Sequence, residues 1–211
     1  LSFEEAIAAR AAVAGVPLPP VAIRALADHA RAVLEANPLL HLTTVTDPGE
    51  LVERHIGESL QGAALLDPGV EGVLVDLGSG NGYPGLPLSA ARPGLRAVLI
   101  EASQKKARFL RDVIEIEWFS GTVVLDRQVQ RAADLDEVSP VRVLTARAVG
   151  SWEKILPRLV DALGADSRLL LWAGEAVEAV RRRPAWRRLE LERQQSLPGR
   201  DRSWIWVFRR L

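Results

Sequence analysis

Cysteine and methionine are absent from this 211-residue chain, and there are only one tyrosine and three lysines. Without cysteine there is no disulfide, no thiolate nucleophile and no cysteine-based zinc site. Without methionine, and with leucine at position 1, the N-terminus reads as trimmed. No apolar run approaches the roughly 20 residues a membrane span needs, and no N-terminal signal pattern is present, so a cytoplasmic protein making no membrane contact is expected. Low-complexity tracts are lacking too. What remains is 48% hydrophobic, ample for one large domain or a domain with an appended cap.

The formal net charge is zero, yet it is spread unevenly. Residues 1–70 carry 4 basic and 9 acidic side chains, whereas residues 181–211 carry 10 arginines against 3 acids. A basic end on a neutral chain reads either as a polyanion-binding face or as a solvated arginine-rich surface. With 24 arginines among 27 cations, composition alone leaves both readings open.

Helical spacing covers residues 2–14 and 19–36, separated by Gly15-Val16-Pro17, with Asn37-Pro38 as the expected end of the second helix. Asp47 as N-cap, Pro48 at the first helical position and Glu50 begin a third helix reaching about Leu66. After Asp67-Pro68-Gly69 the pattern becomes alternating strands and helices. Strands are predicted at 72–77, 96–101, 121–125, 141–146 and 168–173, and helices near 84–91, 104–116, 127–133, 151–162 and 175–182. Such alternation means a parallel sheet covered on both faces. Two final strand-like runs, Leu189–Glu192 and Trp204–Phe208, lie too close together for a crossover helix and predict an antiparallel hairpin. The expected fold is α/β: a Rossmann-like, mostly parallel seven-stranded sheet over residues 71–211, preceded by a helical cap over residues 1–70.

The densest information lies in Val73-Leu74-Val75-Asp76-Leu77-Gly78-Ser79-Gly80-Asn81-Gly82-Tyr83-Pro84-Gly85. A buried strand turns sharply into a helix there and leaves bare backbone facing a ligand. Gly80 to Gly85 spells the dinucleotide fingerprint, so NAD and S-adenosylmethionine compete for one loop. Glu101, at the end of the next strand, suits the ribose hydroxyls of either. Asp76 beside a pyrophosphate is electrostatically unhelpful, but beside the ammonium end of S-adenosylmethionine it is favourable. Pro84 removes one possible phosphate donor. The terminal hairpin resembles the sheet ending of class I methyltransferases and has no reason in a dehydrogenase half-domain. S-adenosylmethionine is therefore the expected cofactor.

Ordered short blocks between about residues 35 and 150 resemble the bacterial 16S rRNA guanine-N7 methyltransferases, the RsmG or GidB family. They are His41-Leu42-Thr43 with Asp47-Pro48, Arg54-His55-Ile56-Gly57-Glu58-Ser59, the loop from Asp76 to Pro87-Leu88, Lys105-Lys106-Ala107-Arg108-Phe109-Leu110 and Ala146-Arg147-Ala148. The resemblance implies methyl transfer from S-adenosylmethionine to a guanine N7 of 16S rRNA, free or in the small ribosomal subunit. Guanine N7 has a free lone pair and no proton, so alignment suffices and no catalytic acid, base or metal is assigned.

Carried over by position, Gly78 and Tyr83, with Ser79, Gly80 and Gly82, would meet the cofactor. The backbone of Ala132 and Ala133 would meet its adenine, and Arg147 would stand between cofactor and target base. His55 would orient the cap on the substrate side, and Lys105, Lys106 and Arg108 would track RNA phosphates. A monomer is expected. His41, Glu58, Ala133 and Trp172-Ala173 depart from the family pattern; the last pair stands where a lysine is usual. These departures leave open a class I methyltransferase with another RNA or a small-molecule substrate, or an RNA-binding protein with a degenerate cofactor site.

Overall fold

The computed structural model describes residues 1–211. Four helices come first: α1 (Phe3–Ala14), α2 (Pro20–Leu40), α3 (Pro48–Leu51) and α4 (Glu58–Ala64), with a π-helical turn, Val52–Gly57, joining the last two. Then follow β1 (Gly72–Leu77), α5 (Gly85–Ala91), β2 (Leu95–Ile100), α6 (Gln104–Val113), β3 (Val123–Leu125), β4 (Val141–Arg147), α7 (Trp152–Ile155), β5 (Leu163–Gly174), α8 (Ala176–Val180), β6 (Leu189–Ser196) and β7 (Ser203–Arg210). The sheet order is β3-β2-β1-β4-β5-β7-β6. The first five strands are parallel, and β7 lies antiparallel between β5 and β6. No helix is long and apolar enough to cross a membrane.

Alternation along each central strand divides the core between the two faces. Leu74, Leu99, Val143 and Leu170 join one cluster with residues of α5 and α6, and Ile7, Leu26, Leu51 and Leu60 of the N-terminal helices belong to the same cluster. Val75, Val98, Leu144 and Leu169 face the other side, with Leu159, Val177 and Trp186. The helices of residues 1–70 thus share a continuous hydrophobic core with one face of the sheet.

Three local expectations differ from the structure. The predicted helix at 127–133 is absent: Arg127–Gln130 is irregular backbone, and a 3-10 helix, Ala132–Val138, follows. The Asp134 carboxylate accepts from the amides of Gln130 at 2.9 Å and Arg131 at 3.1 Å, an N-terminal cap placed where an α-helix had been expected to be under way. Helix α2 runs past Asn37-Pro38 to Leu40, and the Asn37 amide instead makes two hydrogen bonds with the Thr43 backbone at 2.9 and 3.0 Å. The region 151–162 is α-helical only to Ile155 and 3-10 thereafter, where Pro157 lacks the N–H an α ladder requires.

The basic C-terminal segment is largely paired. Arg181 and Arg182 meet Glu178, Arg188 and Arg210 meet Asp161, Arg202 meets Glu175, Arg209 meets Glu190 and Arg200 meets Glu58. Its excess charge is spent mainly on acids of the preceding segments.

Helix α4 crosses the sheet at Gly62, where an added Cβ would lie 2.4 Å from Cζ2 of Trp172. Both groups are buried and the second partner is an indole locked in the sheet, so the contact cannot be relieved by a rotamer change of a flexible chain end. Gly62→Ala is expected to lower stability by about 1–3 kcal/mol through overpacking, and Trp172→Leu is expected to recover part of that loss in the double variant. Urea unfolding of the two single variants and the double variant measures the coupling.

Candidate cofactor and substrate site

The sheet reverses direction of growth between β1 and β4, and ligands of open α/β sheets bind beyond the carboxyl ends of the strands at such a point. A cavity of about 490 Å³ opens there, lined by Leu77, Gly78, Val129, Gln130, Val149 and Lys154 among others. The loop after β1 contributes Gly78 to the lining and is bent by three left-handed glycines: φ is +67° at Gly78, +57° at Gly80 and +90° at Gly82. At Gly82 a Cβ would also come within 3.0 Å of the His29 ring. That position is closed to a side chain both by conformation and by space.

Glu101 follows β2 in the chain between Ile100 and Ala102, both of which line the cavity. Its Oε2 accepts from the Gly80 amide at 2.9 Å and its Oε1 from the Ser103 amide at 2.7 Å. The carboxylate is therefore oriented by the backbone, and each oxygen keeps lone-pair capacity for a further donor. A ribose diol is the kind of group such a carboxylate receives. The bare approach at Gly78, Gly80 and the oriented Glu101 fit a nucleoside-bearing cofactor of the S-adenosylmethionine type.

Asp76 occupies a different place from the one its sequence position suggested. It is buried, and its carboxylate accepts from Ser79 Oγ in a short hydrogen bond, from Thr145 Oγ1 at 2.7 Å and from the Gly85 amide at 3.3 Å. Strand alternation is the reason: Leu77 lines the cavity, so Asp76 points to the opposite face, toward α5. Burial raises its pKa to about 6, against the pull of those three donors. Ser79, also buried, is committed to this knot.

Tyr83 is enclosed between two histidines, with ring centroids 4.5 Å from His29 and 5.1 Å from His55, the latter ring stacked at 10°. Its hydroxyl has no partner, and burial pushes the phenol pKa well up. His29 Nε2 donates to the Asn81 carbonyl at 2.7 Å; burial lowers its pKa to about 4. His55, in the π-helical turn, bonds Thr43 Oγ1 through Nε2 at 2.8 Å, and burial, then the charges of Arg147 and Arg200, depress its pKa to about 3. Both rings are neutral at physiological pH. They act as packing that pins the N-terminal helices to the glycine loop.

Arg147 ends β4. Its Nη2 donates to the Arg54 carbonyl at 2.8 Å and meets Glu58 Oε2 at 2.8 Å, with side chains only 13% and 5% exposed, so this pair is interior rather than superficial. Its Nη1 is enclosed and unpartnered. Lys105, Lys106 and Arg108 lie at the start of α6, four to seven residues after Glu101, and none enters an ion pair, whereas Arg111 meets Asp126 at 3.0 Å. Ala132 and Ala133 begin the 3-10 helix and do not line the cavity; Arg127–Gln130 does. Sequence reasoning missed His29, Thr145, Gln128, Gln130 and Arg200. Only the Pro198-Gly199 turn next to Arg200 carried any local signal.

The neutral histidines make stability depend on pH with a definite sign. A histidine whose folded pKa is depressed stabilises the fold above its unfolded value near 6.5, and that contribution is lost as pH falls. Between pH 7 and 5 the loss is expected to reach about 2 kcal/mol for each ring, partly offset between pH 6 and 4 by Asp76, whose raised pKa works in the opposite sense. Urea midpoints across pH 5–7 for the native protein and His29→Gln test this, and an unchanged pH slope in the variant would refute it.

A profile of the GidB family, described as rRNA small subunit methyltransferase G, matches residues 22–193. The ribosomal RNA small subunit methyltransferase G of Sorangium cellulosum is 36% identical over 187 residues, 88% of this chain and 78% of that protein. Its counterpart in Alkalilimnicola ehrlichii is 35% identical over 166 residues, 78% of this chain and 72% of that protein. Among solved structures, the mitomycin 7-O-methyltransferase MmcR superposes with a TM-score of 0.58 at 19% identity, over 86% of this chain and 60% of its own; that likeness bears on the fold. With the glycine loop, the reversal at β1 and β4 and a match across most of its length, the chain belongs to the rRNA small subunit methyltransferase G family.

Proposed function

We propose that this protein transfers a methyl group from S-adenosylmethionine to N7 of a guanine in the RNA of the small ribosomal subunit, acting as a cytoplasmic monomer. The observation that carries the reading is the glycine backbone and oriented Glu101 at the β1–β4 crevice of a chain in this family. When bound, the cofactor supplies an electrophilic methyl on a positively charged sulfur. Glu101 would hold the ribose, Gly78 and Gly80 would let the cofactor approach the backbone, and the Gln128–Gln130 segment would flank the adenine in place of Ala132 and Ala133. Asp76 would serve this site at one remove, by holding the turn that presents the glycines.

The chemistry asks little of acids and bases. N7 attacks with its own lone pair, and positive charge moves from sulfur to the base, so the work lies in alignment and exclusion of water. His55 and His29, depressed by burial to about 3 and about 4, supply neither a proton nor an effective base at neutral pH. Arg147 keeps one donor without a partner, Nη1, enclosed in the free protein; opened to the substrate it would meet an acceptor such as the guanine O6 beside N7. Lys105, Lys106 and Arg108 would meet the phosphates, each adding salt-sensitive affinity blind to sequence.

Two measurements test the reading. Methylation of small subunits lacking the modification, mapped by strand cleavage specific for N7-methylguanine, is expected to yield one labelled guanine; transfer to a different atom or to no RNA overturns it. Glu101→Ala is expected to weaken S-adenosylmethionine binding by about 10- to 100-fold by calorimetry, the value of hydrogen bonds to a charged acceptor. In Arg147→Ala, cofactor binding is expected to persist while methyl transfer falls.

A further inference from the structure

The Arg147–Glu58 pair has a third member, Arg200, on the turn that joins β6 to β7. Its Nε stands 2.5 Å from Glu58 Oε1 while Arg147 holds Oε2. The two guanidiniums are held unequally. Arg147 is fixed by a second contact, the Arg54 carbonyl. The Arg200 Nε contact is close but out of line for a hydrogen bond, and Arg200 enters no other ion pair. Its side chain is 33% exposed, so a pinned inner edge is combined with an accessible outer one.

Glu58 is shared between two guanidiniums, so Arg200 has no counter-ion of its own at a half-dry site. Such a charge is tolerated where a ligand delivers the missing anion. The outer edge of a guanidinium is a planar fork of donors matched to an oxyanion, and phosphate is the usual one. Because Glu58 grips both arginines, it also fixes how far that fork stands from Arg147 at the crevice.

We propose that Arg200 binds a phosphodiester of the RNA strand flanking the target nucleotide, with Glu58 as the residue that positions its fork. The inference rests on the RNA-methyltransferase reading above. The cofactor's own carboxylate is the other source of an oxyanion, and the experiment separates the two.

Binding of a labelled small-subunit rRNA fragment is measured by fluorescence anisotropy across a salt series for the native protein, Arg200→Ala and Arg200→Lys, alongside calorimetry with S-adenosylmethionine and thermal melting. Arg200→Ala is expected to weaken RNA binding about tenfold and to make the log–log salt slope shallower by about 0.7, the signature of one lost phosphate contact to a single strand. Arg200→Lys, which keeps the charge but not the fork, is expected to restore the slope and only part of the affinity. Cofactor affinity stays within about twofold, against a shift of at least the tenfold that a charged contact is worth. Unchanged RNA affinity and slope in Arg200→Ala overturn the proposal, and so does a tenfold loss of cofactor affinity with RNA binding intact, which assigns the fork to the carboxylate. Native protein that binds RNA without methylating it refutes the functional reading while the slope comparison still reads Arg200; native protein that does not bind RNA overturns both. Should Arg200→Ala melt early, the lysine variant carries the comparison.

Discussion

The buried carboxylate of Asp76 is the constraint around which the site is arranged. A carboxylate taken out of water survives only if its oxygens are occupied, and here the donors come from three elements: Ser79 of the loop, Thr145 of β4 and the Gly85 amide opening α5. Tying those elements to one point leaves the loop between them little choice of path. The glycine pattern follows from that. A Cβ at Gly85 would stand 2.8 Å from Asp76 Oδ2, and one at Gly82 would strike His29. The glycines are thus demanded from behind, by the knot and the histidine, as well as by the left-handed backbone facing the crevice.

The N-terminal helices are bound to the same loop. His29 from α2 and His55 from the π-helical turn sandwich Tyr83, and Asn81 Nδ2 donates to the Leu42 carbonyl at 3.3 Å. On the far side Arg92 bonds the carbonyls of Ala63 at 2.7 Å and Ala91 at 2.9 Å, satisfying chain ends of α4 and α5 together. Removing the helices would uncover part of one face of the sheet, with α5 and α6, and orphan these polar groups at once. Their contribution to the site is to close it, through contacts whose energy is mostly burial and whose direction is set by a few hydrogen bonds.

Much of this was legible in the sequence, because strand runs and the glycine loop are local signals. The seven strands and the terminal hairpin follow from periodicity and from the short spacing of the last two runs. The helix at 127–133 failed because the capping acid, Asp134, lies after the segment, and composition gave no hint that two amides would turn back to it. Asp76 was found as a residue, but its partners in the fold were not: a carboxylate at a strand end looks the same in sequence whether it faces the crevice or the helix behind. The parity of the strand, with Leu77 on the cavity side, was the signal that decides it. Arg200, some 50 residues after Arg147, becomes visible only when the hairpin folds back on α4.

That fold-back also resolves what looked like a gap in charge. Ala173, near the end of β5, stands where the family pattern has a lysine, and its neighbour Trp172 is buried over Gly62, its indole donating to the Glu58 carbonyl at 3.3 Å. The cation at Glu58 comes instead from the next hairpin, through Arg200. The indole packs and holds the Glu58 backbone, and the arginine supplies a charge at its carboxylate. Dividing the roles has a physical consequence. The charge sits on the turn between β6 and β7 rather than on a strand in the sheet, while the carboxylate that orients it stays fixed by burial and by Arg147. The buried pair thereby keeps its geometry whether or not the outer arginine is engaged, which is what a site must do if its cofactor and its nucleic acid bind at different times.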